Sequence, residues 1–158
     1  MLDILTERGQ VSARDELVVA GWVSSQGGEY CVTPKAGPAR VDAVICRGGA
    51  ITAVVETKCR YDMDVKKFRC EYRSEWVITD QKVQDGREAA VLLGVPFLGV
   101  LYIVPSRVIL VVTIADNRGV VRCSVRVAQT ETQETINGGR VSRRNAFVSM
   151  LQAKEWRV

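Results

Sequence analysis

Val41-Asp42-Ala43-Val44-Ile45-Cys46-Arg47-Gly48-Gly49-Ala50-Ile51-Thr52-Ala53-Val54-Val55-Glu56-Thr57-Lys58 is the stretch that decides the fold. Residues 41–46 and 51–58 are rich in β-branched side chains, and Arg47-Gly48-Gly49 between them is a turn, so the stretch predicts a β-hairpin. The second arm is almost continuously apolar until Glu56, the pattern of a strand covered on both faces. Three charged residues, Asp42, Glu56 and Lys58, sit on this otherwise apolar hairpin. They call for an explanation of their own.

Outward from the hairpin, helical patterning is expected over residues 2–8 and 12–22. Ser12 with Asp15 forms a capping box there, and Gly21 is the stop. Residues 24–28 read as a loop, 29–33 as a short strand and 34–38 as a second break. Beyond the hairpin, Asp64 is expected to cap a helix over 65–72. Asp80 is expected to cap a longer one that runs through Leu93 to Gly94, just ahead of Pro96. Strands follow over 97–104, 108–115 and 120–127, then a loop at 136–139 and a closing amphipathic helix over 142–155. The predicted order is α-β-β-β-α-α-β-β-β-α. The fold class is α/β (α+β), a mixed central sheet flanked by helices, and 158 residues form one domain over 1–158.

Composition narrows the chemistry. With 47% apolar and 25% charged residues, the chain has the make-up of a soluble globular protein. No apolar run approaches the roughly 20 residues of a membrane span, and the first residues lack a basic segment followed by an apolar one, so a cytoplasmic, non-membrane protein is expected. The net charge of +4 is mild. Basic residues cluster around 40–73 and 140–157, and either cluster reads equally as a solvated face or a polyanion surface. Five cysteines at wide spacings, with no C-x-x-C pair, fit neither a zinc site nor a disulfide framework; Cys46 and Cys123, inside apolar runs, read as small core residues. There is no histidine, which removes Ser-His-Asp and Cys-His mechanisms and His-ligated zinc. A hydrolase here must work with carboxylates, lysine and a hard metal ion.

Asp42, Glu56 and Lys58 supply that set. Residues two apart on a strand share a face, so Glu56 and Lys58 project together while Thr57 points away. A short turn brings Asp42 opposite Glu56 as an approximate cross-strand neighbour, and two carboxylates that close repel unless a cation lies between them. Magnesium held by such a pair, with a lysine to orient or deprotonate water, is sufficient for phosphodiester hydrolysis. Acid-x-Lys alone is weak: about one is expected by chance, and the chain has three, Glu56-Thr57-Lys58, Asp64-Val65-Lys66 and Asp80-Gln81-Lys82. The last two fall at predicted helix starts, where that spacing does not share a face. Only the first ends a strand opposite another acid; a solvent-exposed strand end with an ion pair is the alternative.

An early helix carrying Glu, then Asp42, a hairpin, Glu56-x-Lys58 and a helix with a further strand resembles the PD-(D/E)XK nuclease superfamily over roughly residues 12–104. Restriction endonucleases, Holliday-junction resolvases and phage recombination nucleases belong to that group, and the chain's small size resembles its resolvase or phage-type members. Val41 stands where many members have proline. The resemblance implies a restriction-endonuclease-like core and a deoxyribonuclease, endonuclease or exonuclease, using Mg²⁺ or Mn²⁺. Asp42 and Glu56 would be the metal-binding acids, the Thr57 carbonyl a third ligand and Lys58 the catalytic lysine. It also implies a first-helix Glu in the site, Glu16 in preference to Glu7, and a residue on the later helix, Lys82 or Gln81. For Glu16 and Lys82 an exposed helix side chain is the competing reading.

DNA is the expected partner, with Arg60, Tyr61, Lys66 and Lys67 as backbone contacts. Gly138-Gly139-Arg140 with Arg143 and Arg144 reads more simply as a basic helix start, and Trp22, Trp76 and Trp156 read as core anchors rather than base-stacking platforms. So small a chain has little surface with which to grasp a duplex alone, which makes a homodimer plausible. The alternative function is a nuclease-like fold serving as a catalytically inactive nucleic-acid-binding or assembly module.

Overall fold

The computed structural model describes residues 7–34, 40–132 and 141–158, so the start of the helix expected over 2–8, most of the 34–38 break, the 136–139 loop and Arg140 lie outside the described residues. The elements are α1 (Glu7–Ser25), β1 (Glu29–Val32), β2 (Ala43–Arg47), β3 (Ala50–Arg60), α2 (Val65–Cys70), β4 (Glu75–Thr79), α3 (Asp80–Leu93), β5 (Phe97–Ile103), β6 (Val108–Ala115), β7 (Val125–Thr132), β8 (Val141–Ser149) and β9 (Lys154–Arg157). The class is mixed α+β. A six-stranded sheet in the order β1-β2-β3-β5-β6-β9 has one parallel pair, β3 with β5, and antiparallel pairs elsewhere; a second sheet has the order β4-β8-β7. No helix among the described residues is long and apolar enough to cross a membrane.

The large sheet separates two apolar cores. On one face Val19 and Val23 of α1 pack with Ala43, Ile45, Val55, Val100 and Ile109. On the other, Val83 and Ala90 of α3 and Trp76, Ala146 and Val148 of the second sheet pack with Val54, Phe97, Leu101 and Leu110. Alternation along β3 therefore sends Val54 to one core and Val55 to the other, both fully buried. Close approach is built in where β5 meets its neighbours. A Cβ at Gly99 would stand 2.5 Å from the Trp76 ring, and one at Gly86 of α3 would stand 2.2 Å from Phe97.

Several expectations are corrected. The break expected between residues 8 and 12 is helical: α1 runs unbroken from Glu7 to Ser25, so Ser12 is interior and the capping box does not form. Val19 and Val23, one helical turn apart, carry the buried stripe past Gly21, which is exposed with open space around its Cα and so does not stop the helix. The cap of α3 is Thr79, whose hydroxyl accepts from the Lys82 N–H; Asp80 is the first helical residue and pairs with Arg144. Gly94 ends α3 in the left-handed conformation at φ 66°, as expected of a glycine there.

The hairpin expected between 108–115 and 120–127 does not form. Beyond one isolated bridge, Ala115 to Val121, the chain leaves the large sheet, and β9 takes the free edge of β6. The closing helix over 142–155 is instead β8 and β9. β8 is the central strand of the second sheet, pairing Trp76 with Val148 on one side and Val127 with Ala146 on the other. β7 precedes β8 directly in the chain while β4 is remote, and packing between the two overrides the local helical pattern.

Candidate active site

The hairpin does not hold a regular register. Arg47 faces Ala50 and Cys46 faces Ile51, but Ile45 faces Ala53 and Ala43 faces Val55, so Thr52 is an extra residue on β3. Its hydroxyl donates to the Ile45 carbonyl at 3.2 Å. This bulge sets the site. Without it the pairing would be one residue out of step and Glu56 would come opposite position 41; with it, Glu56 comes opposite Asp42 on the same face.

β2 begins at Ala43, and just before it Asp42 takes the place of a strand partner. Its backbone N–H donates to the Val55 carbonyl at 3.2 Å, and its Oδ2 accepts from the Thr57 N–H at 3.0 Å. On its other flank β3 remains in the sheet, with Glu56 beside Gly99 and Lys58 beside Leu101 of β5. Glu56 is thus fixed on a strand, and Asp42, in the bend just before β2, is tied to that strand by two backbone hydrogen bonds.

Lys82, from the first turn of α3, completes the cluster. Its Nζ donates to Asp42 Oδ1 and to Glu56 Oε2, each at 3.2 Å. Lys58 Nζ stands 3.4 Å from Glu56 Oε1 as an ion pair, yet Oε1 is buried and accepts no hydrogen bond. Exposure rises from floor to rim: the side chain of Glu56 is 1% exposed, that of Asp42 17%, that of Lys82 21% and that of Lys58 38%. Burial, and after it the charge of Asp42, pushes the Glu56 carboxyl up to about 7 against the pull of Lys58 and Lys82. Burial works to lower the Lys82 ammonium, but Glu56 and Asp42 outweigh it and hold its pKa above the ordinary value.

The other face of β3 carries a second polar chain. Tyr30 of β1 donates its hydroxyl to Glu16 Oε1 at 2.7 Å and lies 2.8 Å from Thr57 Oγ1. The phenol has one proton; with Glu16 ionised it goes to Glu16, and the Thr57 hydroxyl then donates to the phenol oxygen. Burial, then the Glu16 charge, keeps that phenol protonated by raising its pKa. A continuous path runs Glu16–Tyr30–Thr57 and, through the Thr57 N–H, to Asp42.

Asp42, Glu56, Lys58 and Lys82 are therefore brought together in one place. Glu16 reaches the cluster indirectly, from the opposite face through Tyr30 and Thr57; Glu7 lies exposed at the start of α1. Gln81 turns to Asp85. The Arg60 guanidinium reaches the Val77 carbonyl at 3.4 Å and the Tyr61 hydroxyl the Val11 carbonyl at 3.4 Å, so both make contacts within the protein. Lys66 is exposed and Lys67 half-buried on α2, whose cap is Asp64 as expected. Trp22 stacks obliquely on Trp156, ring centroids 5.6 Å apart, and Trp76 is core. Sequence reasoning missed Tyr30. Its only signal was a tyrosine alternating with polar neighbours in a very short strand.

Two carboxylates facing one another, one with an oxygen that no hydrogen bond satisfies, form a hard-oxygen donor set that fits Mg²⁺ or Mn²⁺. Among the described residues no three Cys, Asp or Glu side chains gather into a metal cage. Magnesium does not need one, since it commonly takes one or two carboxylates and completes its shell with water and phosphate oxygens. No protein-family model matches the chain, and no curated protein matches it significantly.

Proposed function

We propose that the chain is a metal-dependent deoxyribonuclease of the PD-(D/E)XK kind, an endonuclease or exonuclease hydrolysing phosphodiester bonds on a restriction-endonuclease-like core. The observation that carries the reading is the convergence of Asp42, Glu56, Lys58 and Lys82 at the point where β2 begins beside β3. Asp42 and Glu56 would hold Mg²⁺ or Mn²⁺, with the Thr57 carbonyl as a further ligand. The ion supplies charge neutralisation at the phosphate and a more acidic water. Lys58, the most exposed of the four, orients the attacking water at the rim and offsets the negative charge that develops there. Lys82 compensates the charge of both carboxylates. Glu16 steadies Thr57 and Asp42 through Tyr30. Lys66 and Lys67 offer cations to the DNA backbone, and a homodimer would widen the gripping surface.

A cleavage assay on linear, circular and branched DNA with Mg²⁺ or Mn²⁺ tests the reading. Activity should appear in the parent and disappear in Asp42→Ala and Lys58→Ala, with both variants still folded by circular dichroism. Variants that cut as the parent does would refute it.

One observation favours a second reading, a nuclease-like fold that binds nucleic acid without cutting it. The Lys82 ammonium already lies between the two carboxylates and balances them without a metal. Mg²⁺ separates the two: a working metal site raises Tm on adding the ion, whereas an inactive module leaves it unchanged.

A further inference from the structure

Two of the five cysteines, 15 positions apart in sequence, meet in the fold. Cys31 on β1 and Cys46 on β2 lie 3.9 Å apart, sulfur to sulfur, with the Cys31 thiol donating to Cys46. The strands pair antiparallel, with Cys31 opposite Val44 and Glu29 opposite Cys46, so the two thiols are diagonal neighbours on one face. Both are half-buried, and β1 is the edge strand of its sheet, so a small solute can reach them. Cys70 is exposed on α2, and Cys59 and Cys123 pack against opposite cores.

We infer that Cys31 and Cys46 are a redox-active dithiol, a modification site that closes to an intramolecular disulfide under a peroxide-class oxidant. This inference is independent of the nuclease reading. In the first step the sulfur of one thiolate attacks a peroxide oxygen, breaking the O–O bond; the sulfur is oxidised to a sulfenic acid and the departing hydroxide leaves as water. The second thiolate then attacks that sulfur and expels the sulfenic oxygen as water. Two thiols and one hydrogen peroxide give one disulfide and two waters. Bond formation needs the sulfurs to approach by roughly 1.9 Å more, to the S–S length of about 2.05 Å. The setting permits it: β1 has four residues and one strand neighbour, and the register shift opposite Thr52 of β3 falls between Ile45 and Cys46.

Burial, and after it the hydrogen bond to Cys46, holds the Cys31 thiol above its ordinary pKa, so the Cys31 thiolate is a minor species and its reaction is slow. Closure would staple β1 to β2 and tighten the strand that presents Tyr30 to Glu16 and Thr57.

The test treats the full chain with hydrogen peroxide, then alkylates and measures intact mass, peptide linkage and Tm. The inference expects a loss of two hydrogens, two fewer alkylated thiols, a Cys31–Cys46 linked peptide and a raised Tm, all reversed by dithiothreitol. Cys31→Ser and Cys46→Ser, close in size to the thiols they replace, should each abolish the bridge and the Tm gain. Oxygen adducts on separate cysteines, a bridge to Cys59, Cys70 or Cys123, or a disulfide-linked dimer would overturn it.

Discussion

The Thr57 backbone N–H donates to Asp42 Oδ2 at 3.0 Å, in the ladder position that β2 leaves empty by starting one residue later. One carboxylate oxygen of Asp42 is thereby spent on holding β3, while the other turns to Lys82 at 3.2 Å. The geometry of the cluster is thus anchored in backbone, and Lys82 is the cation that bridges both acids.

That lysine sets the first prediction. Replacing Lys82 with Met leaves Asp42 and Glu56 facing each other without the ammonium between them. Breaking a buried pair from one side typically costs about 3–5 kcal/mol, and because Lys82 is partly exposed, the lower part of that range is expected. Tm in EDTA should fall for Lys82→Met. The rise on adding Mg²⁺ should be larger than in the parent, because the ion no longer competes with an ammonium for the same oxygens. An unchanged Tm in EDTA would contradict this role.

Glu56 makes stability depend on pH. Its folded pKa of about 7 lies above its ordinary value of 4.5, so its contribution is complete below 4.5 and is lost as pH rises through 7. The metal-free protein should lose on the order of 3 kcal/mol from this group over that window. Glu56→Gln, which cannot ionise, should flatten the slope and be the more stable form at pH 8 without metal. Urea unfolding at several pH values in EDTA measures it.

Tyr30→Phe removes the phenol that joins Glu16 to Thr57. A net loss of about 1–2 kcal/mol is expected. A double-mutant cycle with Glu16→Gln should show coupling of at least about 0.5 kcal/mol. Additive losses would mean that the two side chains do not act as a unit.

Gly99 lies beside Glu56 in the β3–β5 pairing, and an added Cβ would press on the Trp76 ring. Gly99→Ala should cost about 1–3 kcal/mol by overpacking. Denaturant midpoints read this directly; a neutral effect would show that the indole gives way freely.

The hairpin and its three charged residues were legible because turn chemistry and strand alternation are local. The fixed order of two strands and a tight turn put Asp42 near Glu56 without knowledge of anything else. The bulge at Thr52 was not legible, since it trades one ladder bond for a better fit of two cores that only the folded sheet brings together. β8 reads as a helix in the sequence because Ser142-Arg143-Arg144-Asn145 carries no β pattern; its strand state comes from pairing with β7 just before it and with the remote β4. The Thr79 cap was hidden by Asp80 beside it, as good a cap by composition. The Cys31–Cys46 contact was hidden for another reason: spacing along a chain says little about a diagonal pair on adjacent strands.

In the proposed site Asp42 and Glu56 bind a catalytic metal and Lys58 acts beside it. The most direct measurement is cleavage of labelled DNA across a Mg²⁺ titration by the parent and by Lys58→Ala, with Mg²⁺-dependent Tm recorded on the same samples. Metal-dependent cleavage is expected from the parent only, with a Mg²⁺-induced rise in Tm in both proteins, since Lys58→Ala keeps both acids. Equal cleavage by the two proteins, or no response of either Tm or cleavage to Mg²⁺ and Mn²⁺, would contradict it.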